Sequence, residues 1–135
     1  MKIFKKLAGL SLTLFFALAI SFSQYPDIPS KHFIYGYPAG TPETNDLIIR
    51  EIYVLSNNGM TKFADWVVYR LDKNEIEGPS ISERNWKADP LLDSDKTLEP
   101  PDYVDAYKLY KYDRGHQAPL ANFKGTIYAK ETNYL

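Results

Sequence analysis

Two runs of β-branched and aromatic residues, with turn residues between them, constrain the fold of this chain most strongly. The first run spans residues 47–55, LIIREIYVL, and the second spans residues 63–71, FADWVVYRL. Such runs fit the pleated surface of a sheet. The intervening Ser56-Asn57-Asn58-Gly59 is typical of a tight turn, because asparagine and glycine tolerate positive φ angles. The sequence therefore predicts two strands joined as an antiparallel hairpin.

The first 23 residues predict a secretory signal peptide. Three lysines precede an apolar stretch at residues 7–20, and small residues follow it, which is the order found in signal peptides. A transmembrane helix needs about 20 apolar residues, and this stretch is shorter. We expect cleavage after Ser21 or Ser23; the alternative is an uncleaved anchor. The mature protein is then periplasmic or secreted, with no stable membrane association.

Removal of residues 1–23 leaves 112 of the 135 residues, enough for one small domain. The three lysines leave with the signal, so the formal net charge changes from −1 to −4. Nonspecific affinity for nucleic acid comes from neutralising phosphates. An acidic domain of this kind therefore needs a local basic site if it acts on nucleic acid. The sequence has no cysteine, so a hydrophobic core must provide the stability that disulfides often give exported domains.

The remaining segments predict few regular elements. Residues 24–46 read as an irregular lead-in, since four prolines and two glycines interrupt them. His32 within this lead-in predicts a packed or solvated histidine rather than a functional one. Proline pairs and loops dominate residues 78–101, after which Asp102 is expected to cap a short helix over residues 102–108. A strand is expected over residues 127–135.

The run Asp113-Arg114-Gly115-His116 is the candidate active site. A neutral imidazole can accept a proton from water near neutral pH. A guanidinium presents a planar fork that matches phosphate oxygens, which makes Arg114 and Arg84 candidate phosphate ligands. Asp113 is placed to hold a neighbouring donor, and the alternative for Asp113 and Arg114 is a structural ion pair. Phosphodiester hydrolysis also needs a Lewis acid at the leaving oxygen, usually Mg²⁺.

The sequence resembles the DNA/RNA non-specific endonucleases, whose active site is a ββα-metal finger. The resemblance extends beyond the motif and its continuation through Ala121. Further matching segments follow one another in the family's order, at residues 61–69, 84–90, 97–103 and 132–135. It covers residues 47–135 and implies an α+β fold, with a central antiparallel sheet flanked by helices.

The resemblance also implies the chemistry of the site. His116 would be the general base that activates water, and Arg114 and Arg84 would grip the scissile phosphate. Asp113 would be a supporting acid behind them. The implied cofactor is Mg²⁺, and the implied partners are DNA and RNA as substrates. The family includes dimers, so a homodimer is an option.

One feature of the family has no counterpart before Leu135. In the family, the segment resembling residues 133–135 continues into a helix that carries a metal-binding asparagine. Neither Asn122 nor Asn133 occupies the matching position. We therefore expect residues 47–135 to form the N-terminal part of the endonuclease domain, truncated before the finger helix and without a metal ligand. A partial sheet exposes apolar faces and open edges, so we expect the chain alone to be unstable and poorly active.

Two non-enzymatic alternatives stay open at this point. The first is a fragment that binds nucleic acid without cutting it. The second is an aromatic-rich domain that binds glycans, supported by Trp66, Trp86 and the eleven tyrosines. We expect those tyrosines to lie mainly in a β-rich core and at its edges. A glycan-binding function would leave the run from Asp113 to His116 unexplained.

Overall fold

A three-stranded antiparallel sheet organises the chain. The computed structural model describes residues 30–79, 81 and 84–135, so the predicted signal peptide and the start of the lead-in lie outside the described residues. The strands run in the order β1-β2-β3 and comprise Asp46–Ile49, Val54–Asn58 and Phe63–Val68. The helices α1 and α2 comprise Lys73–Ile76 and Ala106–Tyr110, and 3₁₀ helices form at Pro100–Tyr103, Leu120–Asn122 and Ala129–Asn133. This sheet with short helices is compatible with the expected α+β class.

The expectation of one strand over residues 47–55 is wrong, because the chain reverses within the run. Ile49 pairs with Val54 in the antiparallel register of β1 and β2. The amide of Arg50 donates to the carbonyl of Tyr53 at 2.9 Å and closes the turn. The turn comprises residues 50–53 and contains no glycine, proline, asparagine, aspartate or serine, the residues that usually form turns. Its first residue, Arg50, instead has a distant ion-pair partner, Asp89.

The predicted hairpin is present and joins β2 to β3. Its turn comprises residues 59–62 rather than 56–59, since β2 continues to Asn58. The carbonyl of Asn58 accepts from the amides of Thr61 at 3.2 Å and Lys62 at 2.8 Å. Lys62 adopts a positive φ of 60°. The turn therefore lies three positions later than the sequence pattern suggests.

The helix expected over residues 102–108 begins later. Asp102 lies within the 3₁₀ helix Pro100–Tyr103, where its carboxylate accepts from the amide of Glu99 at 2.8 Å. Helix α2 starts only at Ala106. The two prolines fix φ near the helical value and direct Asp102 into a tighter turn before the α-helix.

Residues 127–135 do not form the expected strand. They contain the 3₁₀ helix Ala129–Asn133, in which the hydroxyl of Thr132 donates to the carbonyl of Ala129 at 2.8 Å. The candidate motif at residues 113–116 also pairs with no strand in the described part of the chain. None of the helices within the described ranges has the length and apolar character needed to cross a membrane.

The core lies between the sheet and the segment that follows the candidate motif. Its buried apolar residues are Ile48, Ile52, Tyr53, Leu55, Ala118, Leu120, Phe123 and Ala129. The expectation of core tyrosines holds for Tyr53, which is fully buried. It is wrong for Tyr107, Tyr110 and Tyr112, which are 63%, 66% and 70% exposed. Tyr107 and Tyr110 lie within α2 and Tyr112 follows it, so the β-rich pattern does not apply to them.

A buried ion pair joins the β1–β2 turn to the loop at residues 84–90. The side chains of Arg50 and Asp89 are 6% and 3% exposed, and the guanidinium donates a hydrogen bond to the carboxylate. Glu131 lies 3.9 Å from the same guanidinium. The guanidinium carbon also lies 4.3 Å from the ring centroid of Tyr134. The cation of the β1–β2 turn therefore contacts two distant segments, the loop at residues 84–90 and residues 131–134.

Further hydrogen bonds satisfy the buried Asp89. Its carboxylate accepts from the amide of Leu91 at 2.9 Å, and its own amide donates to the hydroxyl oxygen of Thr97 at 3.0 Å. The Thr97 hydroxyl in turn donates to the carbonyl of Leu135 at 2.7 Å. A buried charge persists only when it is paired and hydrogen-bonded. These bonds meet that condition and fix the loop against residues 133–135.

His32 is buried and has a structural role. Its Nε2 donates to the carbonyl of Glu51 at 3.0 Å, and its Nδ1 accepts from the amide of Arg70 at 3.0 Å. Both ring nitrogens are thus occupied in the neutral form. Burial is the main cause that lowers the pKa of His32. This is the packed histidine that the sequence led us to expect.

Replacement of Asp89 by asparagine should destabilise the full-length protein by about 3–5 kcal/mol, because it leaves a buried guanidinium without its counter-charge. Urea denaturation measures the loss. The double variant Arg50→Met/Asp89→Leu removes both charges and should recover most of it. A double variant as unstable as the single one would contradict the electrostatic explanation.

The free energy of unfolding should fall as the pH drops from about 8 to about 5.5, because unfolded histidine with a pKa of about 6.5 binds a proton that the folded His32 ring resists. Denaturation at both pH values measures this. His32→Gln should flatten the dependence, although His116 contributes in the same direction and remains. An unchanged pH dependence in the variant would refute the role of His32.

Candidate active site

The loop at residues 84–90 is attached to the C-terminal segment by backbone hydrogen bonds. The amide of Lys87 donates to the carbonyl of Asn133 at 3.2 Å, and the amide of Leu135 donates to the carbonyl of Lys87 at 3.0 Å. Together they form an isolated bridge between Lys87 and Tyr134. This attachment brings the arginine-bearing loop and Asn133 to the same side of the molecule.

His116 lies where these two segments meet. Its ring is half-buried and lies 4.5 Å from the ring of Trp86, measured between centroids, with 40° between the planes. Its Nε2 lies 3.2 Å from the side-chain oxygen Oδ1 of Asn133. Trp86 restricts the tilt of the imidazole, and Asn133 restricts its rotation. The ring is therefore held from two sides.

Burial is the largest of the causes that set the pKa of His116, and it lowers that pKa. The hydrogen bond between the ring and the amide oxygen of Asn133 raises the pKa, and the positive charge of Arg84 lowers it further. The net shift is downward from the ordinary value of about 6.5. At neutral pH the ring is therefore uncharged and able to accept a proton.

Arg84 and His116 line the same cavity, whose volume is about 310 Å³. Lys124 lines it as well and adds a second cation. The remaining lining residues are apolar: Ile81, Pro119, Leu120 and Ala121. The cavity thus combines a proton acceptor with two positive charges beside an apolar wall. An anion with a reacting centre fits such surroundings.

Arg114 is exposed and lies close to the same group of residues. Its guanidinium carbon is 5.8 Å from the ring of Trp86 and 5.8 Å from the ring of Tyr103. Because Trp86 also contacts His116, Arg114 and His116 lie beside one indole, and Arg84 joins His116 in the lining of the cavity. Trp86, which the sequence predicts only as a loop residue, contacts both Arg114 and His116.

Asp113 has a local role. Its carboxylate accepts a hydrogen bond from the amide of Arg114 at 2.8 Å. The side-chain ion pair between Asp113 and Arg114, which was the structural alternative, is not formed. Asp113 also lines a smaller cavity of about 220 Å³ together with Tyr103 and His116. It therefore shapes the backbone of the motif at the edge of the site.

Sequence reasoning missed two residues that hold the imidazole, Trp86 and Asn133. The sequence indicates a role for Trp86 only in the glycan-binding alternative. Asn133 does not match the position of the family's metal-binding asparagine, so the sequence assigns it no role. The available signal was their position, since each lies in a segment that resembles the family. Their contacts with His116 needed the tertiary structure.

Within residues 30–79, 81 and 84–135, no three histidine, aspartate or glutamate side chains come together in a way that could hold a metal ion. The groups gathered at the site are cations, an imidazole, an amide and, at its edge, the single carboxylate of Asp113. Only the amide oxygen and this carboxylate suit Mg²⁺. The described residues therefore do not fit a magnesium site by themselves.

Comparison with known proteins is consistent with this geometry. A sequence model of the DNA/RNA non-specific endonuclease family matches residues 23–135. A nuclease from Serratia marcescens is 46% identical over 100 residues, which cover 74% of this chain and 36% of the relative. A nuclease from Nostoc sp. is 31% identical over 111 residues, covering 78% and 39% respectively. The chain belongs to the DNA/RNA non-specific endonuclease family, and it spans less than two fifths of the length of these relatives.

Replacement of Arg84 by glutamine should raise the pKa of His116, because it removes a positive charge that disfavours the imidazolium ion. A titration of the ring followed by NMR measures this pKa in the full-length protein. Arg70→Gln is a matched control, since Arg70 is exposed and does not line the cavity. Equal pKa values in wild type and Arg84→Gln would show that Arg84 lies too far away to act.

Proposed function

We propose that this chain carries the base and the phosphate-binding groups of a nuclease that hydrolyses phosphodiester bonds of DNA and RNA. The observation that carries the proposal is that His116 and Arg84 line one cavity, while Arg114 lies beside Trp86, which contacts His116. Burial lowers the pKa of His116, which favours the proton-accepting form of the ring. Membership of the family supports it independently.

In this proposal His116 removes a proton from a water molecule whose oxygen attacks the phosphorus atom. The bond from phosphorus to the leaving oxygen then breaks, and the leaving oxygen takes up a proton from solvent. Negative charge grows on the phosphorus oxygens during the attack. Arg84 and Arg114 stabilise that charge, since a guanidinium offers several donors in a plane that matches phosphate.

The proposed cofactor is Mg²⁺, and this part of the proposal rests on the family alone. The described residues offer no cluster that would hold the ion, and none of the steps above is assigned to it. Its requirement is an experimental question that cleavage assays with Mg²⁺ and with EDTA answer directly.

The proposed substrates are DNA and RNA without base preference. In this proposal Arg84, Arg114 and Lys124 contact phosphates, and phosphate contacts carry no sequence information. Removal of residues 1–23 would leave an acidic chain, so we expect its affinity to come from this local group of cations. We also propose export to the periplasm or the medium, from residues 1–23, and a homodimer as the assembly to test.

His116→Ala should reduce cleavage by ~10²–10⁴-fold, which is the usual contribution of a general base, and should leave nucleic-acid binding nearly unchanged. Nicking of a supercoiled plasmid by the full-length protein, with Mg²⁺ and with EDTA, measures cleavage. Fluorescence anisotropy of a labelled oligonucleotide measures binding. Arg114→Ala should weaken both cleavage and nucleic-acid binding. Arg70→Ala is the matched control for the Arg114 variant.

Two outcomes would overturn the proposal. If His116→Ala cuts as fast as wild type, His116 is not the base. If the wild-type protein binds nucleic acid in a salt-dependent manner but cleaves none with Mg²⁺, the site is a binding site only.

A further inference from the structure

We propose that Asn133 is a positioning residue that fixes the proton of His116 on Nε2, so that Nδ1 is the nitrogen that accepts the proton from water. This inference rests on the proposed function for its catalytic meaning. The tautomer itself is a property of the chain that can be measured without any cleavage. The proposal gives Asn133 a role distinct from that of a metal ligand.

The contact that carries the inference is directional. The amide oxygen Oδ1 of Asn133 lies 3.2 Å from Nε2 of His116. An amide oxygen only accepts hydrogen bonds, so Nε2 must carry the hydrogen. A neutral imidazole has a single ring hydrogen, and Nδ1 is therefore left with a lone pair. Nδ1 makes no hydrogen bond with any residue that the structure describes.

Asn133 is well placed to impose this choice because it is itself immobilised. It is 1% exposed, and its backbone carbonyl accepts from the amide of Lys87 at 3.2 Å. The next residue, Tyr134, contacts the buried guanidinium of Arg50. The amide therefore meets His116 from a fixed position.

The imidazole itself cannot turn freely to exchange its nitrogens. The ring of Trp86 lies 4.5 Å away on one face. Rotation of His116 by half a turn about its Cβ–Cγ bond would break the bond to Asn133, and a buried amide oxygen without a partner is costly. The observed orientation is thus favoured by both neighbours.

The charged and titratable groups around His116 come from every segment that packs against it. They are Arg84, Lys124, Arg114, Asp113 and Tyr103. Cations predominate on the side of the larger cavity, which favours the uncharged ring. Asp113 is an acid near the ring, and its carboxylate accepts from the amide of Arg114. A carboxylate placed at position 133 would face Nε2 directly and would change the pKa of His116 more strongly than any of these groups does.

The first test is a measurement of the tautomer. Long-range ¹H–¹⁵N NMR spectra of the full-length wild-type protein, at a pH where His116 is neutral, report which nitrogen bears hydrogen. We expect His116 to carry it on Nε2. A spectrum with the hydrogen on Nδ1 would overturn the proposal.

The second test asks whether Asn133 is responsible. Asn133→Asp places a negative charge beside Nε2 and should raise the pKa of His116 by about 1 unit or more. The acid limb of the pH profile of kcat/KM should move to higher pH by the same amount, with the plateau retained. Asn133→Leu keeps the bulk without the acceptor and should lower kcat/KM on the order of 10²-fold. A merely structural role of Asn133 would not move the acid limb.

Asn122→Asp is the matched control, since Asn122 lies in the 3₁₀ helix Leu120–Asn122, and the hydrogen bond that the structure describes for the His116 ring goes to Asn133 instead. It should leave the pKa of His116 within about 0.3 unit of wild type. If Asn133→Asp shifts that pKa no more than the control does, the assignment of Asn133 is wrong. If the pKa shifts but wild type shows no cleavage, the tautomer assignment stands and the proposed nuclease function fails.

Discussion

The buried ion pair between Arg50 and Asp89 is the interaction on which the rest of the structure depends. It lies at the reversal between β1 and β2, where the amide of Arg50 donates to the carbonyl of Tyr53 while its guanidinium meets the Asp89 carboxylate. It places the loop at residues 84–90 against the sheet. Through Tyr134 it also fixes the segment that carries Asn133. A charge without its partner is expensive inside a protein, so these segments assemble together or not at all.

The two histidines show how surroundings decide the use of one side chain. Both have a pKa lowered mainly by burial. His32 has both nitrogens engaged by backbone groups, and it therefore ties the lead-in to the sheet. His116 has one nitrogen held by Asn133 and the other without a described partner, beside a cavity lined by cations. Only the second arrangement leaves a lone pair for chemistry.

The candidate site was predictable from residue types, while its supporting contacts were not. Arginine and histidine in the motif predicted phosphate chemistry, and the resemblance to the family extended this prediction to Arg84. The roles of Trp86 and Asn133 depend on distances between segments 17 to 30 residues from His116. Local patterns also misplaced the turn at Arg50, because its cause is a partner 39 residues away.

The sequence by itself determined the family, through the motif at residues 113–116 and the further segments that resemble it, and the β-rich segments from residue 47 to residue 71, through their residue types. It also supplied the candidate site residues. The tertiary structure alone decided where the first run reverses, which tyrosines are exposed and which nitrogen of His116 is held. Those features depend on pairs of groups that are distant in the chain. Burial makes such pairs strong, since an unpaired charge or amide cannot turn to water instead.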